Sequence, residues 1–398
     1  MLVIAPQLAP IGPSARATLS PHQSSVDRAL WLDAPEPLAE RPRPLSIDPA
    51  ATRVALALGL AFVLVFWSAR GIFARGGIRV ATRGIAWTGL GLAAIAIVQH
   101  ATAPRFVYWM WPTIFGAAFG PYRNRNDFAT WLIMAIPLTS GYILARIESH
   151  GRGGQGSRLH VGSVVDSTAV WLVGAALFMS AALLTSLSRS GLTGAAAALA
   201  GFFWLSRSRI GRGGRVWLIV GAASVIVVAA AYANLDALMN RMGETLEAGI
   251  GGRRVIWKDT WAMIQDFWAT GIGLGAYERG MLVYQRSRGL FYFNHAHNEY
   301  LQLAAEGGIV LCIPLGLALV VGARDIARRL RAETTPVFWI RAGATSGLIA
   351  VAVQNVWDTG LRMPANAVLL AVLAAIAVHD RAGPMVETDV RETSMLGE

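Results

Sequence analysis

Tyr292 to Ile309 reads YFNHAHNEYLQLAAEGGI. Within it His295, His297, Asn298, Glu299 and Glu306 stand just ahead of a long apolar run. Imidazole titrates near neutrality, so a neutral histidine here could take a proton from a hydroxyl group. Glu299, Gln302 and Glu306 are spaced three and four apart, which sets them in one stripe on a helix beginning near Asn298. A polar stripe at the end of an apolar helix is expected to line a cavity in the protein rather than face lipid. Three readings fit these residues. The histidines could cap the helix, they could join Glu299 in a metal site, or one of them could act as a general base. There is no HExxH and no second histidine cluster, and the single cysteine, Cys312, lies in an apolar run.

Two arginine motifs bear on the same chemistry. GGRRVIW holds Arg253 and Arg254, and TSLSRSGL holds Arg189 in a very short turn between apolar segments. Guanidinium forks bind phosphate bidentately and stay charged at any relevant pH. The plainer readings are a solvated loop or a headgroup contact for the pair, and snorkelling to the interface for Arg189. Arginines beside a histidine suggest a phosphate-linked donor and a hydroxyl acceptor. The arginines would hold a diphosphate leaving group and the histidine would activate the attacking oxygen.

Positioning these side chains falls to a membrane domain. Of 398 residues, 54% are hydrophobic and only 15% charged, and the mean hydropathy is +0.46. Apolar runs such as VALALGLAFVLVFWSA approach the about 20 residues that cross a bilayer, and such segments must be helical. Nine candidate spans are read at roughly 53–69, 85–100, 128–146, 167–187, 190–206, 215–234, 300–323, 337–356 and 364–379. The expected fold is all-α, a polytopic helical bundle of about nine spans with one large extracytoplasmic loop containing helices. In order, residues 1–52 form a Pro-rich tail without signal-peptide features, expected to be disordered, and 53–234 carry six spans. Residues 235–299 form the large loop, 300–380 three more spans, and 381–398 a cytoplasmic tail.

The net charge is +11, and arginines crowd alternate loops, for example Arg70, Arg75, Arg79 and Arg83, then Arg324, Arg328, Arg329 and Arg331. That pattern follows the positive-inside rule and places the histidine loop and the amino-terminal tail outside, with no need for a nucleic-acid partner. Within the large loop, Trp257, Trp261, Ile264 and Trp268 recur at helical spacing and suggest one face of an amphipathic helix, which GIGLGAY then breaks. FVYWMWPTIFGAAFGPY (106–122) is aromatic with two prolines, and reads as an interfacial or re-entrant piece rather than a span.

HAHNEYLQLAAEGGI resembles the signature of the O-antigen ligase and O-antigen polymerase family of bacterial membrane proteins: histidine-asparagine, nine residues, then Gly308. GGRRVIWKDTWAMI with GIGLGAYE, SLSRSGLTGAAAAL, NRNDFATWLIMAIPL and DTGLRMP resemble further pieces of that family's pattern, in order, although Asp127 stands where a histidine is common. The resemblance implies a metal-independent glycosyltransferase of the GT-C class without a cofactor, in the bacterial inner membrane with its active site facing the periplasm. It would take a glycan from undecaprenyl diphosphate and pass it to an acceptor hydroxyl, with inversion. The acceptor would be lipid A-core or a growing polysaccharide, and some relatives glycosylate protein. The family's essential arginines fall on Arg189 and Arg253, with Arg254 the adjacent alternative. Its essential histidine falls on His297, with His295 its neighbour, and Asn298, Glu299 and Glu306 in support. The family has about twelve spans, so three more would be expected upstream. The competing function is a transporter or flippase of lipid-linked oligosaccharide. That function predicts inverted repeats and broken or charged helices near mid-membrane. No convincing repeat is seen, and the polar residues gather at one edge.

Overall fold

The computed structural model describes residues 4–30, 41–113, 118–151, 167–209, 250–286 and 292–380. These residues are predominantly helical. The helices are α1 (Pro13–Leu19), α2 (Gln23–Leu30), α3 (Pro49–Ala74), α4 (Ile78–Thr102), α5 (Arg125–Gly151) and α6 (Ser167–Thr185). After them come α7 (Arg189–Ser206), α8 (Ile250–Asp266), α9 (Tyr277–Tyr284), α10 (Glu299–Ala332), α11 (Val337–Gln354) and α12 (Pro364–Ala377). A single small hairpin, β1 (Phe106–Val107) with β2 (Trp111–Pro112), interrupts them. Eight of the nine expected spans coincide with α3, α4, α5, α6, α7, α10, α11 and α12. The ninth, 215–234, lies outside the described residues, as do 235–249 of the large loop and the tail 381–398. Six of the described helices are long and apolar enough to cross a membrane, α3 to α6, α10 and α11. The 14 residues of α12 reach only about 21 Å against about 30 Å of hydrocarbon.

The bundle is built around α5 and α11. Both are mostly buried, and α7, α12, α4 and α6 pack about them. Small residues let the two central backbones meet: a β-carbon on Gly343 would stand 2.3 Å from the Pro137 carbonyl oxygen, and one on Gly141 would stand 2.2 Å from that of Trp339. Close approach of this kind is how helices associate where lipid removes the hydrophobic drive. At one end lie the amino termini of α5, α7 and α10. At the other end, Arg70 of α3 and Arg329 of α10 both pair with Asp380, just beyond α12. The arginine-rich ends therefore share one side, as the alternation of charged loops requires.

A second core sits at the first end. Met263 and Phe267 from the α8 region pack near Ile272, Tyr277, Met281 and Tyr284, and Ile256 is buried on the same helix. The buried face of α8 is thus Ile256, Thr260 and Met263, followed by Phe267 just past its end. The tryptophan face lies apart from this buried one: Trp257 is half-buried, while Trp261 and Trp268 are exposed. Indoles favour the membrane–water boundary, so periodic tryptophans here do not mark the core.

The amino-terminal segment also differs from the disordered tail expected of its composition. Residues 4–30 and 41–48 fold against this second core. Gln7 donates to the carbonyls of Thr270 (2.7 Å) and Glu306 (3.0 Å) and accepts from the Leu274 N–H (3.0 Å). The Ile47 N–H donates to Ile272 O (2.9 Å), and Asp27 pairs with Arg16 and Arg43 at 2.6 and 3.1 Å. Its order comes from saturating backbone groups of a distant loop, which composition does not register.

Gly308 breaks α10. Its φ of 56° and ψ of −160° lie in a region essentially reserved for glycine, and a β-carbon there would stand 2.4 Å from the Ala269 carbonyl oxygen. Gly308→Ala is expected to cost roughly 1–3 kcal/mol from backbone conformation alone, with the clash added. Gly316→Ala, with nothing within 4 Å of a β-carbon, is the matched control. Melting of the two variants in detergent checks this, and equal melting would remove the kink from the account.

Candidate active site

Asn298 starts α10 in extended conformation and accepts the Leu301 N–H at 3.0 Å, an ordinary N-cap. The Glu299 N–H donates to the carbonyl of Asn355 at 2.9 Å, tying this end of α10 to the end of α11. His297, just before the cap, has φ of +48°. That left-handed conformation is uncommon for a side-chain residue but less so for His, Asn and Asp. Ala296, between the histidines, is held from two sides. Its N–H donates to Gln302 Oε1 (3.0 Å), and its carbonyl accepts from Trp257 Nε1 (3.0 Å). Trp257 lies one turn after Arg253 on α8, so the indole that grips the histidine segment brings the Arg253 face toward it.

Asp358, in the connection after α11, is buried with 1% of its surface exposed. Its carboxylate accepts from Ser190 Oγ (2.9 Å) and from the Thr359 N–H (2.9 Å). Ser190 belongs to the first turn of α7. Ser188 caps that helix by accepting the Gly191 N–H (3.0 Å) and donates to Asn126 Oδ1 of α5 (2.7 Å). Arg189 stands between these two serines at a helix amino terminus, where the backbone dipole is positive. Burial lowers the pKa of Arg253; Asp358 opposes that and Arg189 adds to it. His297 is likewise held below its usual range, first by burial and then by Arg253, against Asp358. Arg189, Arg253, His297 and Asp358 therefore act on one another in a single neighbourhood.

A second polar group adjoins it. Arg362 donates to Glu299 (3.0 Å) and to both oxygens of Glu306 (3.0 and 3.3 Å). Gln302 Nε2 donates to Glu306 Oε1 (3.2 Å) and stands 3.5 Å from His295 Nδ1. Burial alone would lower the Arg362 pKa, but Glu306 and Glu299 outweigh it and hold it raised. Burial, then Arg362 and His297, push His295 down to about 4. The stripe of Glu299, Gln302 and Glu306 thus does face protein, but Arg362 fills the space expected to be a cavity.

Among the candidates read from sequence, His295, His297, Asn298, Glu299, Glu306, Arg189 and Arg253 come together at this end, while Arg254 is exposed on α8. Among the described residues, no group of three His, Cys, Asp or Glu side chains is arranged to hold a metal ion. Sequence reasoning missed Asp358 and Arg362. Their signal was two charges in the short apolar-flanked stretch DTGLRMP.

Residues 174–316 match the family model described as O-antigen ligase. No curated protein matches the chain. The matched segment contains Arg189, Arg253, both histidines and Glu306, while Asp358 and Arg362 meet them from outside it. Over this segment, which is less than half of its length, the chain, a multi-pass membrane protein, is similar to the O-antigen ligase family.

Proposed function

We propose that the protein transfers a glycan from undecaprenyl diphosphate to an acceptor hydroxyl at the periplasmic face of the inner membrane. The observation that carries this reading is the shared neighbourhood of Arg189, Arg253, His297 and Asp358 at one end of the bundle. Two guanidiniums and the amino terminus of α7 suit a diphosphate. The acceptor oxygen attacks the anomeric carbon, the bond from that carbon to the diphosphate oxygen breaks, and the hydroxyl proton passes to His297. Asp358 steadies the imidazolium that results. The arginines meet the negative charge that grows on the leaving undecaprenyl diphosphate. The alternation of arginine-rich loops supports an outward placement of this end.

Lipid A-core and a growing polysaccharide both offer the required hydroxyl. A gel of surface polysaccharide from a deletion strain separates them. Bare lipid A-core with accumulating lipid-linked polymer means a ligase, and single repeat units without long chains mean a polymerase. An unchanged profile would overturn both. A transporter reading would need polar groups near mid-membrane, whereas the charged cluster here sits at helix ends.

The arginines give a sharper check. Arg253→Ala is expected to lower kcat/KM for the lipid-linked donor about 10–100-fold, the worth of one or two hydrogen bonds to a charged group. Arg254→Ala is expected to stay near wild type. Steady-state kinetics in vesicles decides between them, and the reverse order would move the diphosphate site to Arg254.

A further inference from the structure

The hairpin of β1 and β2 has no place in the chemistry above. Val107 and Met110 close it through the Met110 N–H and the Val107 carbonyl (3.1 Å). The two residues between them, Tyr108 and Trp109, have φ of 51° and 59°. Positive φ at both central positions defines a type I′ turn, normally built from Asn and Gly. Bulky aromatics held there carry backbone strain, and strain of this kind marks a segment shaped for a purpose. The tip is also bare: Tyr108 and Trp109 are each 46% exposed, Trp111 58% and Met110 64%. The only charged residue between Ala103 and Thr113 is Arg105.

Its placement names what covers it. The hairpin begins four residues beyond Thr102, the last residue of the spanning helix α4. Trp109 Nε1 donates to Thr102 Oγ1 (2.8 Å), which folds the tip back against the end of the span. Thr102 continues an exposed stripe on α4 that runs through Trp87, Gly91, Ile95 and Val98, one face of the helix at spacings of three and four. In a membrane protein that stripe faces lipid. We propose that the hairpin, with Tyr108, Trp109, Met110 and Trp111 at its tip, inserts into the headgroup layer of the outer leaflet on the lipid-facing side of α4. Aromatic rings with one polar atom suit that layer, and Arg105 suits lipid phosphate. The hairpin leads through Phe119, stacked on Phe128 of α5, into the turn that carries Asn126. It thereby sets the depth of the site in the bilayer.

The chain has one cysteine, Cys312, so Cys312→Ser frees it for site-directed spin labels. Met110→Cys and, separately, Trp111→Cys are labelled and reconstituted in bilayers of phosphatidylethanolamine and phosphatidylglycerol. Ser24→Cys on exposed α2 is the aqueous reference, and Leu317→Cys on exposed α10 the lipid reference. The ratio of relaxation by oxygen to relaxation by a nickel chelate reads depth. A ratio at 110 and 111 severalfold above that at 24, and below that at 317, is the expected result. A ratio equal to that at 24 overturns the proposal. So does a water-like ratio in which label motion slows only when lipid-linked glycan is added, which would make the hairpin a glycan platform. The readout needs no turnover, so it stands or falls apart from the proposed reaction.

Discussion

His297→Asn protein is expected to fold and bind donor like wild type but to turn over about 10²–10⁴-fold more slowly, the usual worth of a positioned general base. Asparagine is the substitution to choose because His297 sits at φ of +48°, a conformation asparagine tolerates far better than alanine. A fall in kcat without a rise in donor KM would separate loss of the base from loss of the diphosphate site. The pH profile tests the same group. Burial and Arg253 hold the imidazole below its usual range, against Asp358, so it is already neutral at pH 7. The rate is expected to stay level as pH falls to about 6.5, the ordinary histidine value, and to drop only further down. His295, held at about 4, stays neutral well below pH 6.5 and is expected to contribute little near that pH. A rate that halves between pH 7.5 and 6.5 in wild type would show that His297 is not the titrating base. Wild-type turnover by His297→Asn would remove the general base and revive a transport function.

The parts of this molecule that could be read from sequence are those fixed by local pattern. Apolar length marked eight of the described helices because lipid forbids any other backbone. The spacing of Glu299, Gln302 and Glu306 marked their shared stripe, and Asn298 marked the start of α10. The unread parts depend on contacts far apart in the chain. Arg362 meets Glu299 and Glu306 across 63 and 56 residues, and Ser190 meets Asp358 across 168. No periodicity reports such pairings. Gln7 is the extreme case: one amide side chain joins the carbonyls of Thr270 and Glu306 to the Leu274 N–H, inside a segment whose composition reads as disorder. On α8 the periodic pattern did not say which face is buried: the tryptophans turn toward the membrane boundary and leave Ile256, Thr260 and Met263 as the buried face.

Arg362→Ala is expected to have the largest effect on stability. The guanidinium stands between two carboxylates on one helix face, Glu299 and Glu306, and both are buried. Removing it leaves two like charges facing each other out of water, which costs about 3–5 kcal/mol where one partner of a buried pair is lost. That is a large share of the about 5–15 kcal/mol that holds a typical domain folded, and corresponds to a melting shift of roughly 6–20 °C. Arg362→Lys keeps the charge but not the fork, so it is expected to melt between the two. The damage is not confined to melting. Glu306 accepts from Gln302 Nε2, and that orients Gln302 Oε1 toward the Ala296 N–H beside His297. Arg362→Lys is therefore expected to lower kcat more than it raises KM. The decisive comparison adds Glu299→Gln and Glu306→Gln to Arg362→Met. Neutralising the whole group together should recover most of the melting temperature, because a buried ion group can be replaced by neutral residues at little net cost. It should not recover turnover, because the carboxylate that orients Gln302 is gone. If the triple variant melts no higher than Arg362→Ala, the loss lies in packing around Arg362 rather than in unpaired charge.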